Sequence, residues 1–340
     1  MMLILTSTLI MSTLIALSTQ SWIIIWMMLE MNLMTFLPIM NNLMYKTNFL
    51  FKYFIVQTTS SSTFLLSIMM MWAMQFNNQM INFLYLEWMV SLSMMLKMGL
   101  IPFHWWYIEI MMSLSWMNIF LMSTWQKIIP LTIISYFKMN SILYLSIILS
   151  SLISSLQGIN QINLRKLFTM SSINQTSWMT INSTMSLYLM LTYLMLYTMI
   201  SFNIFFLFNW NKFSYIHEIY LMNNIPPLIY LFLMLNILSL AGMPPLLGFI
   251  MKFISIKFMM KNMMYSMILF LMLSSMFTLY YYLKVAYSSM ILMKMKNKTK
   301  FMKLMLLKNN KKKMSNFNKI MYTFSMINLI MIPIMSLIIN

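Results

Sequence analysis

Long apolar runs, parted by short polar stretches, set the rhythm of this chain. Within them hydrophobic residues follow one another without the alternation of a strand, as across positions 231–240. A helix crossing the hydrocarbon core of a bilayer needs about 20 mainly apolar residues. On that length scale the pattern predicts eleven spans: 2–19, 21–40, 50–74, 80–111, 115–137, 141–158, 162–180, 185–208, 227–257, 263–290 and 319–338. The fourth and ninth are too long for simple spans, which implies interruption. The seventh carries Asn163, Arg165, Lys166, Ser171, Ser172, Asn174 and Gln175, so it must face protein or water rather than lipid. The expected fold is an all-α, polytopic transmembrane bundle forming a single domain over 1–340. Its core covers about 21–257, a Lys-rich loop about 291–318, and a last span about 319–338.

Charge placement supports this count. Loops after even-numbered spans contain or border Lys46, Arg165, Lys166, Lys212 and the lysine run between 294 and 313. Loops after odd-numbered spans have only Lys138 and Lys261 nearby. Positive-inside sorting predicts such an asymmetry and puts the N-terminus on the positive side and the C-terminus opposite. The lysine run is either a surface amphipathic helix, with Phe301, Leu304, Met305 and Leu307 interleaved, or a solvated loop.

Composition removes most rivals. Hydrophobic residues make up 61% of the 340 and charged residues 8%, against roughly a quarter charged in soluble domains. Cysteine is absent, which excludes disulfides, thiolate zinc sites and iron–sulfur ligation by this chain. The two histidines, His104 and His217, fall in different segments, so haem and metal sites are not expected. Four glycines make no nucleotide-binding loop. The net charge of +18 sits largely in one loop, so it reads as topology rather than nucleic-acid binding. The 50 methionines are scattered as apolar filling. No removable leader is visible at the N-terminus.

Chemistry is left to a few residues. Two segments carry a glycine followed by proline: Lys97-Met-Gly99-Leu-Ile-Pro102-Phe-His104, and Gly242-Met-Pro244-Pro245-Leu-Leu-Gly248-Phe-Ile-Met-Lys252. Proline breaks or kinks a helix, and carbonyls freed at membrane depth need partners from protein or water. Paired broken helices mark the pathway in transporters. Glu30 lies near the centre of an apolar span, where a lone charge costs about 2.5–3.5 kcal/mol on insertion scales. Lys97 and Lys127 are its cationic counterparts, neither close to a span end, and Lys252 follows the second break. Lysine can release a proton when desolvated; arginine effectively cannot. His104 is either a relay or a donor to a freed carbonyl, and Lys284 either a relay or a snorkelling residue. Glu87 and Glu109 are interfacial carboxylates or relay groups.

At these residues the chain resembles a known family. Trp26-Met-Met-Leu-Glu30-Met-Asn32, the Lys97 and Gly242 blocks, Trp125-Gln-Lys127-Ile-Ile-Pro130 and Gly158-Ile-Asn-Gln161-Ile-Asn-Leu-Arg165-Lys166 occur in family order. The family is that of the second membrane subunit of respiratory complex I, in its short metazoan form, related to cation/proton antiporters. The resemblance implies a subunit of a proton-translocating NADH:ubiquinone oxidoreductase in the mitochondrial inner membrane. It puts the N-terminus at the matrix and the C-terminus at the intermembrane space. By the same resemblance Glu30 pairs with Lys97, Lys127 is the central lysine and Lys252 the last. The chain itself would bind no cofactor and perform no redox step; NADH, FMN, iron–sulfur clusters and ubiquinone belong to other subunits. Its partners would be antiporter-like membrane subunits, accessory subunits and the lipid bilayer. Departures exist. Gln175 stands where the family usually has a histidine, Ser177 where it has glycine, and Ile108 where it has proline. A stand-alone cation/proton antiporter component and a scaffold with static charges are the alternative readings.

Overall fold

The computed structural model describes residues 2–41, 47–76, 80–137, 139–220, 227–244 and 246–304. The last span expected at 319–338, Pro245 and the far part of the Lys-rich loop lie outside the described residues.

Fourteen α-helices cover the described residues. The N-terminal part comprises α1 (Met2–Ser18), α2 (Trp22–Asn41), α3 (Thr47–Phe76), α4 (Met80–Met98) and α5 (Trp105–Ser113). In the middle are α6 (Trp116–Ser123), a 3₁₀ turn (Trp125–Lys127), α7 (Ile128–Ser135), α8 (Ser141–Gly158) and α9 (Leu164–Met185). The chain goes on through α10 (Leu187–Asn211), α11 (Ile216–Tyr220), α12 (Pro227–Ala241), α13 (Leu247–Lys261) and α14 (Tyr265–Leu304). Five of these contain stretches long and apolar enough to cross a membrane: Trp22–Asn41, Asn48–Met74, Ser141–Gly158, Leu187–Asn211 and Tyr265–Tyr287.

The two long segments are broken as their glycines and prolines imply, into α4 with α5 and α12 with α13. A third break, in the stretch read as one span over 115–137, was not expected. Pro130 accounts for it: its ring crowds the carbonyl of Gln126 and it has no N–H to offer there. The helix accordingly tightens into the 3₁₀ turn at Trp125–Lys127. At the far end, α14 continues as helix to Leu304, through part of the Lys-rich region from 291, for which the sequence allows either a surface helix or a solvated loop. No glycine or proline stands between Tyr265 and Leu304 to stop it.

α9 is the polar helix in the middle of the bundle. Leu164 and every residue from Leu167 to Ser183 are buried, although many are Ser, Thr, Asn or Gln. The hydroxyls cause no deficit, because they bond to carbonyls three residues back, as Thr176 does to Ile173 at 2.7 Å and Ser183 to Thr180 at 2.7 Å. Against α9 lies the serine face of α8, with Ser146, Ser150, Ser151, Ser154 and Ser155 buried. Small side chains let helix backbones approach where no hydrophobic driving force separates protein from lipid.

The loop between α10 and α12 is pinned to the start of α9. Leu164 donates to the Ser214 carbonyl at 3.0 Å and Ile216 to the Ile162 carbonyl at 3.1 Å. Trp116 reaches it from α6, its indole N–H 2.8 Å from the Phe213 carbonyl. Partial burial of Glu218 works against its charged form, but it accepts from the Ser214 hydroxyl (2.7 Å) and the Ser214 and Tyr215 N–H groups, with His217 alongside. Together these hold the carboxyl below the usual carboxylate range.

Two predictions come from this packing. A Cβ on Gly248 would lie 1.5 Å from the Ser239 carbonyl oxygen, a backbone atom that cannot turn aside. Gly248→Ala should therefore cost about 3 kcal/mol or more, the upper end for overpacking, seen as a lower thermal midpoint and less assembled protein. Because Glu218 titrates lower when folded than when unfolded, the stability it lends is present above the ordinary carboxylate range and lost on acidification through its folded value. Hydrogen exchange at Ser214 and Tyr215 should rise at acid pH in the parent, and should be fast and pH-insensitive beyond the intrinsic rate in Glu218→Ala.

Candidate functional site

The first break positions Lys97. α4 ends in a left-handed glycine, Gly99, at φ +69°. Its N–H bonds to the Leu96 carbonyl at 3.3 Å, and the Leu100 N–H to that of Met95 at 3.1 Å, which is the Schellman ending of a helix. Tyr107, on α5, packs so close that a Cβ at position 99 would sit 2.7 Å from its own. Lys97 occupies the last turn of α4, where carbonyls left without helical partners carry partial negative charge. It is 8% exposed, and its backbone carbonyl accepts from the Gln57 side chain at 3.3 Å.

Glu30 faces the same region from α2, partly buried. Its carboxylate accepts a hydrogen bond from the Ser61 hydroxyl of α3. Its charge acts on Lys97, but the two do not form a direct ion pair; among the described residues the ion pair is Lys52–Glu109. Glu30 and Lys97 are thus electrostatic neighbours rather than a closed bridge.

The unexpected third break holds Lys127. It ends the 3₁₀ turn and is 2% exposed. Its Nζ lies 3.4 Å from the Ser172 carbonyl of α9 and 4.9 Å from the centre of the Tyr107 ring. Tyr107 and Ser172 share a hydroxyl–hydroxyl bond of 3.0 Å. Lys97 and Lys127 line one internal cavity with Asn32, Gln57, Tyr107 and Gln126. It offers about 20 Å³ to water centres, and one water needs roughly 10–15 Å³ with two to four polar partners. The cavity therefore has room for a water, and polar side chains in its wall to hold one.

The second break repeats the first. Gly242 ends α12 at φ +87°, with its N–H bonded to the Ser239 carbonyl at 3.0 Å and the Met243 N–H to that of Leu238 at 3.3 Å. Here the lysine comes from the following half-helix. Lys252, 5% exposed, folds back from α13 and donates to the Ala241 carbonyl at 3.0 Å. A side chain on Gly242 would strike that ammonium, 2.9 Å from a Cβ.

α9 spans the gap between Lys127 and Lys252. Three residues beyond Ser172, Gln175 accepts from the Tyr193 hydroxyl of α10, and its amide donates to the Leu240 carbonyl at 3.4 Å. Leu240 adjoins Ala241, the carbonyl held by Lys252. Asn174 accepts from Ser274 of α14 at 3.3 Å. The sequence located the three lysines and marked Gln175 as standing where the family has a histidine, but not the contacts these connectors make. The polarity of α9 was the available signal; which of its many polar residues bridge the lysines was not readable from spacing.

The remaining candidates stand apart. Glu109 is exposed and pairs with Lys52 at the protein surface. His104 is buried, with Nδ1 3.4 Å from the Pro102 carbonyl and Nε2 without a hydrogen-bond partner among the described residues. Lys284 is exposed, while its neighbours Tyr281 and Tyr282 are buried. Pro102 and Pro244 sit in the breaks themselves.

The chain that carries these residues has known relatives. Residues 19–278 match the family model of the transmembrane NADH:quinone oxidoreductase/Mrp antiporter proteins. The chain belongs to this antiporter-like family. It is 41% identical over 253 residues to NADH-ubiquinone oxidoreductase chain 2 of Anopheles gambiae, covering 73% of this chain and 74% of the relative. With the same-named chain of Locusta migratoria it shares 34% over 276 residues, 79% of each. Among solved structures it is similar to respiratory complex I from Thermus thermophilus with bound aureothin, at TM-score 0.74 and 18% identity, covering 84% of this chain and 69% of that one. An archaeal membrane-bound sulfane sulfur reductase gives TM-score 0.78 at 14% identity, over 98% and 72% of the two chains. At those identities the likeness concerns the fold: an all-α, multi-pass membrane bundle of the antiporter type.

Within that family fold, Gln175 and Tyr193 form the connector most open to test. Tyr193→Phe removes the donor to a buried amide oxygen, which costs about 1–3 kcal/mol when left unsatisfied. The variant should show a lower thermal midpoint and slower proton transfer. Unchanged values for both would detach the pair from the site.

Proposed function

We propose that the chain is the second membrane subunit of a mitochondrial proton-pumping NADH:ubiquinone oxidoreductase, and that it moves protons along Glu30, Lys97, Lys127 and Lys252. The single observation carrying the relay is the shared cavity of Lys97 and Lys127, continued through α9 to the carbonyls beside Lys252. The relatives' common name supports the wider assignment. The chain acts as part of a translocase, beside antiporter-like and accessory subunits. NADH, FMN, iron–sulfur clusters and ubiquinone react on other subunits. It lies in the inner membrane with its N-terminus towards the matrix and its C-terminus towards the intermembrane space.

The mechanism is electrostatic. In an interior of low dielectric, a change of charge on one group strongly alters its neighbours' preference for a proton. An ionised Glu30 favours the ammonium form of Lys97. When that influence weakens, Lys97 passes its proton through water in the cavity towards Lys127. Ser172 and Tyr107 orient the receiving ammonium, and Gln175 holds α9 against the last turn of α12. Gln175 keeps no titrating proton of its own, so it serves as a neutral spacer where a histidine would change charge.

Lys127→Ala should lower the protons moved per electron in the assembled complex. Lys127→Arg should fail to restore them, because arginine stays charged. A parental ratio in Lys127→Ala would remove Lys127 from the relay, and full rescue by arginine would make it a static charge. Co-purification of the chain with NADH oxidation separates this reading from a stand-alone cation/proton antiporter.

A further inference from the structure

Outside the lysine chain, the described residues form an open valley between α10 and α13. It encloses about 550 Å³ and is lined by Tyr188, Leu191 and Met195 from one helix and Ile250, Ile254 and Phe258 from the other. These positions are three and four apart, one face of each helix. The pairing is antiparallel: the Asn262 amide, after α13, donates to the Met185 sulfur, at the end of α9 just before α10, at 2.7 Å. The groove runs about 16 Å, from Leu247 to Phe258 at 1.5 Å per residue.

Its two ends differ. The outer end has Tyr188, 75% exposed, and two exposed lysines, Lys257 and Lys261. The Lys261 ammonium sits 5.4 Å from the centre of the Phe258 ring, at the mouth of the groove. Neither α10 nor α13 has an acidic residue to neutralise them, since the chain's four carboxylates are Glu30, Glu87, Glu109 and Glu218. The inner end is Leu247 and Ile250, within about one turn of Lys252. An apolar trough, a tyrosine at the rim and two cations outside it match the tail, interface and headgroup of an anionic phospholipid.

We infer that the α10–α13 groove is a binding site for an anionic phospholipid, whose acyl chains brace the Lys252 half-helix and whose phosphate lies at Lys257 and Lys261. This rests on the membrane-spanning fold and not on the proton relay, so either can fail without the other. The site faces the leaflet opposite Lys212, because α10 runs from Leu187 at the groove's mouth to Asn211 at its other end.

Photoactivatable phosphatidylglycerol and phosphatidylcholine, each with a diazirine in the acyl chain, would be incorporated into the purified complex and the labelled peptides mapped. Adducts are expected on residues 187–196 and 250–258, with phosphatidylglycerol ahead by at least about five-fold, the effect of one lysine near a membrane surface. Lys257→Gln with Lys261→Gln should bring the ratio close to one while adducts persist. Equal labelling by the two lipids in the unmodified complex overturns the headgroup assignment without any variant. Absence of adducts from both segments, or helix density from this chain or a neighbour in the groove, overturns the site.

Discussion

A buried ammonium group needs oxygen atoms around it, and an intact membrane helix uses nearly all of its own. Every backbone carbonyl inside a regular helix is already bonded. The chain meets this constraint by breaking helices where lysines lie. The left-handed turns at Gly99 and Gly242 end two half-helices, and the 3₁₀ turn before Ile128 interrupts a third. Lys252 shows the result directly, with its ammonium on the Ala241 carbonyl. Lys127 reaches for a carbonyl of another helix, that of Ser172. The breaks and the buried charges thus form one design.

That design demands a polar neighbour in an otherwise lipid-like interior. α9 supplies it without exposing polar groups to lipid, since nearly the whole helix is enclosed by protein. Its hydroxyls bond mostly to their own helix, which makes them tolerable at depth. Three of its side chains also reach a partner on another helix: Ser172 to Tyr107, Gln175 to Tyr193 and to Leu240, and Asn174 to Ser274. The small serines of α8 bring the neighbouring backbone close, and Gly248 does the same between α12 and α13. Close backbones make these short polar links geometrically available.

Much of the architecture was legible along the chain. Apolar runs marked the helices, and glycine with proline marked two of the breaks. The polarity around Asn174 and Gln175 required a helix sheltered from lipid. Three features were less legible. Pro130 was read as part of a continuous span, because one proline is common in a membrane helix and its effect depends on whether the freed carbonyls find partners. Glu109 was held as a possible relay group, but its place opposite Lys52 on the surface depends on how α3 and α5 pack. The helical path of α14 to Leu304 was obscured by its lysines, which signal a loop by composition without preventing a helix.

The sequence by itself determined that this is a helical membrane protein, that its interior holds one carboxylate and three lysines of interest, and that helices break beside two of those lysines. These are local matters of hydrophobicity, backbone chemistry and the cost of charge in lipid. Only the tertiary structure decided which groups meet. Glu30 is held by Ser61 and acts on Lys97 across a gap, Lys97 and Lys127 share a cavity, and Gln175 connects α9 to the carbonyls beside Lys252. Those contacts join residues 30 to 67 positions apart. No periodicity carries such information, because it is set by the packing of whole helices against one another.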